Sequence, residues 1–420
     1  MASVNPQFDA LQAAARARFA TLGLPTRRME DWHYTDLARL LPPADIPEKP
    51  GRMDAPNYFK TAQPARLVFI DGILDRAQSD MAELARLDGI DITPLAEGSE
   101  LLQFPKEEQD NALLAANLGY LQDGVIISVS KPITRPVELV WAGSDAAHAN
   151  YGRVCLNLAE QASLCLIETH CGAGVAHLVN DISIGAGAKL THIKLHEGAP
   201  MPDMPATHAA LVMTRMELAQ DASLHDFTLC LSAALGRHEN RLRFTGQGAT
   251  ADMAAVILGS GQQHTDITTT CDHEMPATQS QTTVRAVLTD KARGVFQGKV
   301  IVRPDAQLVD AEQHTATLML SKEAEMNAKP ALEIFADDVA CAHGSTIGEI
   351  DQDAVFFLRS RGLSENAARN LLVQGFIDEA LLHVNDTHLR AALQERVAQQ
   401  LATHFMGLDS KIETDRGDAS

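Results

Sequence analysis

No run of apolar residues in the chain approaches the ~18 needed to span a membrane. The opening Met1-Ala2-Ser3-Val4-Asn5-Pro6 has neither a basic nor an apolar region, which predicts no signal peptide. Cysteines occur only at 155, 165, 171, 230, 271 and 341, and no two form a Cys-x-x-Cys pair. This spacing predicts reduced thiols in a cytoplasmic protein rather than a disulfide framework. It also argues against a closed zinc site or a resident cluster held by one chain. Positive charge is short as well. Lys and Arg number 35 against 55 Asp and Glu, for a net charge of -20. A surface that acidic repels phosphate backbones and anionic lipid, so neither nucleic-acid nor membrane binding is expected.

Enzyme motifs are missing too. There is no Gly-x-Gly-x-x-Gly between strand and helix and no Gly-x-Ser-x-Gly elbow. The segment Gly294-Val295-Phe296-Gln297-Gly298-Lys299-Val300 comes nearest to a phosphate loop. It is one residue short, and Val300 stands where Ser or Thr must hold magnesium. ATP hydrolysis by this chain is therefore not expected.

What is present is an apolar share of 45%, enough for a sizeable core. At ~150 residues per domain the length suits about three domains, unless an elongated repeat absorbs most of it. Asn5 can cap a first helix that starts at Pro6, puts Phe8, Leu11, Ala15, Phe19 and Leu22 on one face, and stops at Gly23. The stretch from Gly23 to Thr35 holds Trp32, one of 2 tryptophans, and reads as a packing and capping segment. Residues 42–55 carry four prolines and read as a linker or surface loop. Leu67–Gly72 reads as a strand ending in a turn, and residues 80–120 look mixed.

From about 124 to 350 short β-type runs alternate with small-residue turns. Alanines recur in these turns at 162, 188, 222 and 249, in steps of 26, 34 and 27. Irregular steps of this size suit a solenoid with loops of varying length, in which a stacked parallel β-helix buries each coil against the next. The spacing leaves a β-sandwich open as the alternative. After Gly348 helices return. Asp351 can cap one, with Ala354, Val355, Phe357 and Leu358 on its apolar face and Gly362 as its stop. Ser364 can start the next, with Ala367, Ala368, Leu371 and Leu372 inward and Gly375 near its end. A last helix follows Asp386, with Leu389, Leu393, Val397 and Leu401 on one side. The tail from Leu408 to Ser420 is polar and reads as frayed. Three parts follow: an N-terminal helical and mixed domain over 1–120, a β-helix over 121–350, and a C-terminal helical domain over 351–420.

Two Cys-x-His pairs carry soft-ligand chemistry, Cys271-Asp272-His273 and Cys341-Ala342-His343. On a strand, residues i and i+2 share a face, so thiol and imidazole are neighbours suited to zinc, Cu(I) or an iron–sulfur intermediate. Two ligands do not complete a four-coordinate site, so further ligands must come from elsewhere or from another chain. The plainer alternative is a buried cysteine beside a satisfied histidine. His264 is a further candidate face-mate of His273.

The stretch Lys329-Pro330-Ala331-Leu332-Glu333-Ile334-Phe335-Ala336-Asp337-Asp338-Val339-Ala340-Cys341-Ala342-His343-Gly344-Ser345-Thr346 strongly resembles the signature of the SufB/SufD family of iron–sulfur cluster assembly proteins. Phe356-Phe357-Leu358-Arg359-Ser360-Arg361-Gly362 resembles its continuation, and Gly294–Lys299 and Gln313–Ser321 look like the family's β-helix segments. With Gly344 after His343, and with Gly23–Arg28 and Glu30-Asp31-Trp32 near the start, the chain looks more like the SufD branch. Cys271 is not among the family's hallmark residues. The resemblance implies a mainly β fold, a right-handed parallel β-helix flanked by N-terminal and C-terminal helices. It implies a non-catalytic scaffold in a cytoplasmic complex with SufB and the ATPase SufC. A nascent iron–sulfur cluster would form at the SufB interface, with Cys341 and His343 at the matching positions. The C-terminal helices would dock SufC, through Phe356, Phe357, Arg359, Arg361, Leu371 and Phe376. No permanently bound cofactor is implied, and ATP acts through SufC. Whether FAD binds the assembled complex, and whether the isolated chain forms a homodimer, stays open. Two other readings are a purely structural dimerisation subunit and a β-helix enzyme. The enzyme would need a carboxylate cluster such as Asp252, Asp266 and Asp272.

Overall fold

A computed structural model describes residues 6–41, 44–98, 110–198 and 208–404. Asn5, two of the prolines in 42–55 and the polar tail lie outside these residues. Among the described residues seven α-helices accompany the β body: α1 (Pro6–Leu22), α2 (Leu37–Leu40), α3 (Met81–Leu84), α4 (Ala112–Tyr120), α5 (Gln352–Ser360), α6 (Glu365–Leu381) and α7 (Thr387–His404).

Two sheets make the body, one of ten strands and one of nine among the described residues. From Asp123–Val129 onward successive strands alternate between the sheets, so each coil lays one strand on each. From Ala149 onward nearly every strand is ten residues long and pairs in parallel with the strand of the next coil. This is a parallel β-helix, not a sandwich of hairpins. The register is what positions the site. On the first sheet Leu164, Leu190, Leu224, Ala251, Ser280, Ala311 and Cys341 form one column from coil to coil. Leu164, Leu190, Leu224, Ala251 and Ala311 all belong to the central apolar cluster, so this column faces inward.

The recurring alanines explain themselves at one corner. Ala162, Ala188, Ala222 and Ala249 are all buried there. The residue after each donates its amide to the alanine carbonyl one coil earlier: Lys189 to Ala162, Ser223 to Ala188 and Thr250 to Ala222, each at 2.9 Å. A methyl group suits a corner with no exposed volume. The column continues as Thr278 and Val309.

The two ends of the body differ. At the N-terminal end, antiparallel strands close both sheets: Ile73–Leu74 against Ala65–Ile70, and Ile90–Pro94 against Asp123–Val129. At the other end the last strands are Ala340–Gly348 and Glu325–Ile334. Among the described residues nothing pairs with their outer edges, and Ile334, Phe335 and Ile347 are exposed.

The outer faces are covered by helices. Leu114 of α4 packs on Val179 and Met213 of the second sheet. The α1 helix lies on α4, with the Arg16 guanidinium donating to the Gly119 carbonyl at 2.7 Å. Gly23 takes φ 68 and its amide bonds the Phe19 carbonyl, which ends α1. Of the five expected α1 face residues only Ala15 is buried, and Leu22 is exposed. The Trp32 ring lies 3.8 Å from the guanidinium of buried Arg237, which anchors the segment after α1. On the first sheet, α6 and α7 bury Ala368, Val373, Ile377, Leu389, Leu393, Val397 and Leu401 against Ile193, Phe227, Leu229 and Val256. Asp351, Ser364 and Asp386 cap their helices through side-chain oxygens. The α6 helix runs past Gly375 to Leu381, because glycine only weakens a helix whose next turn, with Ile377, Ala380 and Leu381, is buried. Ala367 and Leu371 are exposed rather than inward.

The solenoid interior is not uniformly apolar. Glu168, wholly buried, accepts from Asn180 at 2.8 Å and contacts His192 at 2.7 Å and His170 at 3.2 Å. Lys194 bonds Asn240 at 3.1 Å and Asp226 at 2.8 Å. Burial alone would raise the Glu168 pKa, but the bonds from His170 and His192 outweigh it and hold the carboxyl low. Other buried histidines go the opposite way. Burial lowers His177, His208 and His273 to about 4. Unfolded imidazole titrates near 6.5, so between these values the unfolded chain binds more protons. Stability therefore falls as pH drops from about 6.5 towards about 4. Urea midpoints should decline steadily across that window; a flat profile would contradict the burial. At the alanine corner, Ala222→Leu should cost about 1–3 kcal/mol, while Ala13→Leu on the exposed side of α1 stays within about 0.5 kcal/mol, both read by chemical denaturation.

Candidate functional site

Cys341 and His343 lie on Ala340–Gly348, the terminal strand of the first sheet. Cys341 pairs in register with Ala311, and His343 with Gln313. Ala311 and Gln313 are buried and inward-facing, so Cys341 and His343 continue the inward columns into the last coil. There the covering ends: Cys341 is half-buried and His343 exposed. Burial first, then the charge of Asp310, push the Cys341 thiol up from its ordinary value. It is a neutral thiol at pH 7 until a positive centre draws off its proton. Among the described residues, no three His, Cys, Asp or Glu side chains gather into a metal site.

The other Cys-x-His pair sits differently. Cys271 and His273 also face inward, but in the middle of the body with coils on both sides. Cys271 is part of the central apolar cluster, and burial pushes its thiol up to about 12. Both nitrogens of His273 are engaged, with Thr278 at 2.7 Å and Ser280 at 3.0 Å, and its ring stacks on Phe244 at 4.2 Å. This is the plainer alternative, a buried cysteine beside a satisfied histidine. The expectation that His264 shares a face with His273 is corrected. The two lie nine residues apart on one strand, an odd separation that turns them to opposite faces. His264 faces outward under the N-terminal segment, 3.0 Å from Thr35 Oγ1. It lines a cleft of ≈ 680 Å³ with Tyr34, Arg39, Arg293 and Lys322.

The carboxylates an enzyme would need do not converge. Asp252 lies on the first sheet, 2.8 Å from the His383 ring nitrogen. Asp266 and Asp272 lie on the second sheet, paired with Arg237 and Arg303 respectively. Each is engaged by its own partner.

The helical face after the body is apolar and open. Phe356 is 73% exposed, Phe357 54% and Leu371 51%. The Arg361 guanidinium lies 4.6 Å from the Phe357 ring, and Arg359 pairs with Glu365 at 3.1 Å. Phe376 stands apart from these, half-buried with the Arg285 guanidinium of the β body 5.5 Å from its ring.

Residues 140–376 match the family model described as SUF system FeS cluster assembly, SufBD core domain. The iron-sulfur cluster assembly protein SufD of Escherichia coli (strain K12) is 30% identical over 394 residues, which cover 90% of both chains. The chain belongs to the SufB/SufD family. Within the family it is SufD-like, an iron–sulfur cluster assembly protein of the SUF system. A SufBD family protein of Synechocystis is 27% identical over 90% of this chain and 88% of its own. The SufD of Bacillus subtilis is 24% identical over 68% and 67%. No helix among the described residues is long and apolar enough to cross a membrane.

Sequence reasoning missed the glutamine beneath His343. Its signal was Gln313, two residues after Ala311 in the coil before Cys341 and His343, but only the register shows the alignment. In the native chain, alkylation should modify Cys341 well before Cys271, as peptide mass mapping over time would show. Equal rates at the two thiols would contradict the inward placement of Cys271.

Proposed function

We propose that this SufB/SufD-family chain is the SufD-type scaffold subunit of a SufB–SufC–SufD complex. The open end of its β-helix meets SufB, and Cys341 and His343 lend ligands to an iron–sulfur cluster forming between the two. The observation that carries this reading is the terminal strand. It aligns a thiol and an imidazole on the inward face of a coil whose outer edge has no strand beside it among the described residues. An uncovered end of a parallel body exposes unpaired backbone groups and apolar interior, which a second β body can cover. Ligands from two chains complete a coordination that two side chains cannot. The cluster is cargo here, built at the interface and passed on.

SufC docks on the helices after the β body. Phe356, Phe357 and Leu371 supply its apolar contact, and Arg359 and Arg361 its charged rim. The lack of a phosphate loop in this chain supports placing ATP hydrolysis in SufC.

Complexes reconstituted from SufB, SufC and this chain test the reading by absorbance during anaerobic cluster assembly. Cys341→Ser and His343→Ala should assemble into the complex yet lose most of the cluster. Wild-type yields from both would make this chain a structural arm. For docking, Phe356→Ala with Phe357→Ala should weaken SufC binding at least about tenfold, since burying one such side chain contributes roughly 1.5–3 kcal/mol. The melting midpoint should hardly move, because both rings are exposed in the isolated chain. Unchanged affinity in a titration would place SufC elsewhere.

A further inference from the structure

The strand before the ligand pair, Asp310–Met319, turns Ala311, Gln313, Thr315 and Thr317 inward. Three of these four are polar, whereas the matching positions two coils earlier are Ala251, Met253, Ala255 and Ile257. Gln313 is 2% exposed. Neither its Oε1 nor its Nε2 has a hydrogen-bond partner among the described residues, and the Thr317 hydroxyl has none either. Other glutamines of the body are served: Gln297 Nε2 donates to the Asp31 carbonyl at 3.1 Å and contacts the Thr268 hydroxyl at 3.3 Å. A buried primary amide with four unused hydrogen-bonding positions bears its full desolvation cost, and native structures keep few such groups without a reason.

Its surroundings are shaped for it. Gly298 stands across the interior, and a Cβ there would collide with Gln313 Oε1 and the Phe296 ring. Gln313 is the register partner of His343, so the two residues lie one strand spacing apart and on the same inward face. Cys341 occupies the neighbouring inward position of that last strand.

We propose that Gln313 binds the cargo of this site, its amide N–H groups donating to a negatively charged sulfur held by Cys341 and His343. The ligand class is sulfide or thiolate-like sulfur, as in a growing iron–sulfur cluster. The amide is a neutral donor that offers hydrogen bonds without competing for the metal, and hydrogen bonds to cluster sulfurs tune such centres. This inference rests on the proposed role of Cys341 and His343, and it explains why a polar floor lies under the last coil.

Gln313→Leu separates the two sides of the claim. It removes an unpartnered amide, so the isolated chain should gain stability, with a melting midpoint higher by roughly 1–3 °C. In the complex with SufB and SufC, the assembled cluster should be lost to a chelator about fivefold faster, as expected for one missing hydrogen bond. Gln313→Glu, which keeps the shape but sets a carboxylate against sulfide, should release cluster faster still. His343→Ala runs beside them. A lowered midpoint in Gln313→Leu would show the amide already satisfied within the chain and overturn the proposal. Unchanged cluster release, with His343→Ala defective, would overturn it while leaving the ligand pair standing. Wild-type behaviour of His343→Ala would remove both.

Discussion

Each coil of this protein satisfies its backbone hydrogen bonds only by lying in register on the coil before it. That dependence organises everything else. It makes every inward column continuous from end to end, so a residue's environment is set by its neighbours above and below more than by those beside it in sequence. Cys271 and Cys341 show the difference. Both precede an Xaa-His on a strand and both face inward, yet one has coils on either side and the other has a coil on one side only. The same two-residue pattern yields a buried core thiol in one place and a half-buried thiol beside an exposed imidazole in the other.

The fold was legible where the corner demanded one residue type. Alanines at 162, 188, 222 and 249 mark a buried corner where a small side chain fits. The signal fades at the next coils because Thr278 and Val309 take over the corner, so periodicity alone left a sandwich open. Capping was legible as well, since Asp351, Ser364 and Asp386 act through local hydrogen bonds that need no tertiary context. Leu371, expected to face inward, is exposed, because which flank of α6 meets the β body depends on how the helix is laid down. Gln313 was invisible for a related reason: its meaning lies in a register partner 30 positions away.

Polar groups inside the body divide into two kinds. The Glu168, His170, His192 and Lys194 group is tied together by ion pairs and hydrogen bonds, although His170 Nδ1 and Asn180 Oδ1 have no hydrogen-bond partner among the described residues. It lies several coils from the open end, behind apolar layers that include Met253 and Ile257. The Gln313 and Thr317 group sits directly under the last coil and is not closed. Only the second kind is placed where something from outside the chain can complete it.

The antiparallel strands Ile73–Leu74 and Ile90–Pro94 bear on how the molecule can assemble. A parallel stack with two bare faces could add units without limit and grow into a fibre. Here one face is sealed by strands running the wrong way to accept another coil. A body closed in this way at one end cannot stack coil on coil without limit, whatever its helices bind. What keeps the stack from growing is thus found at the end of the body opposite Cys341 and His343.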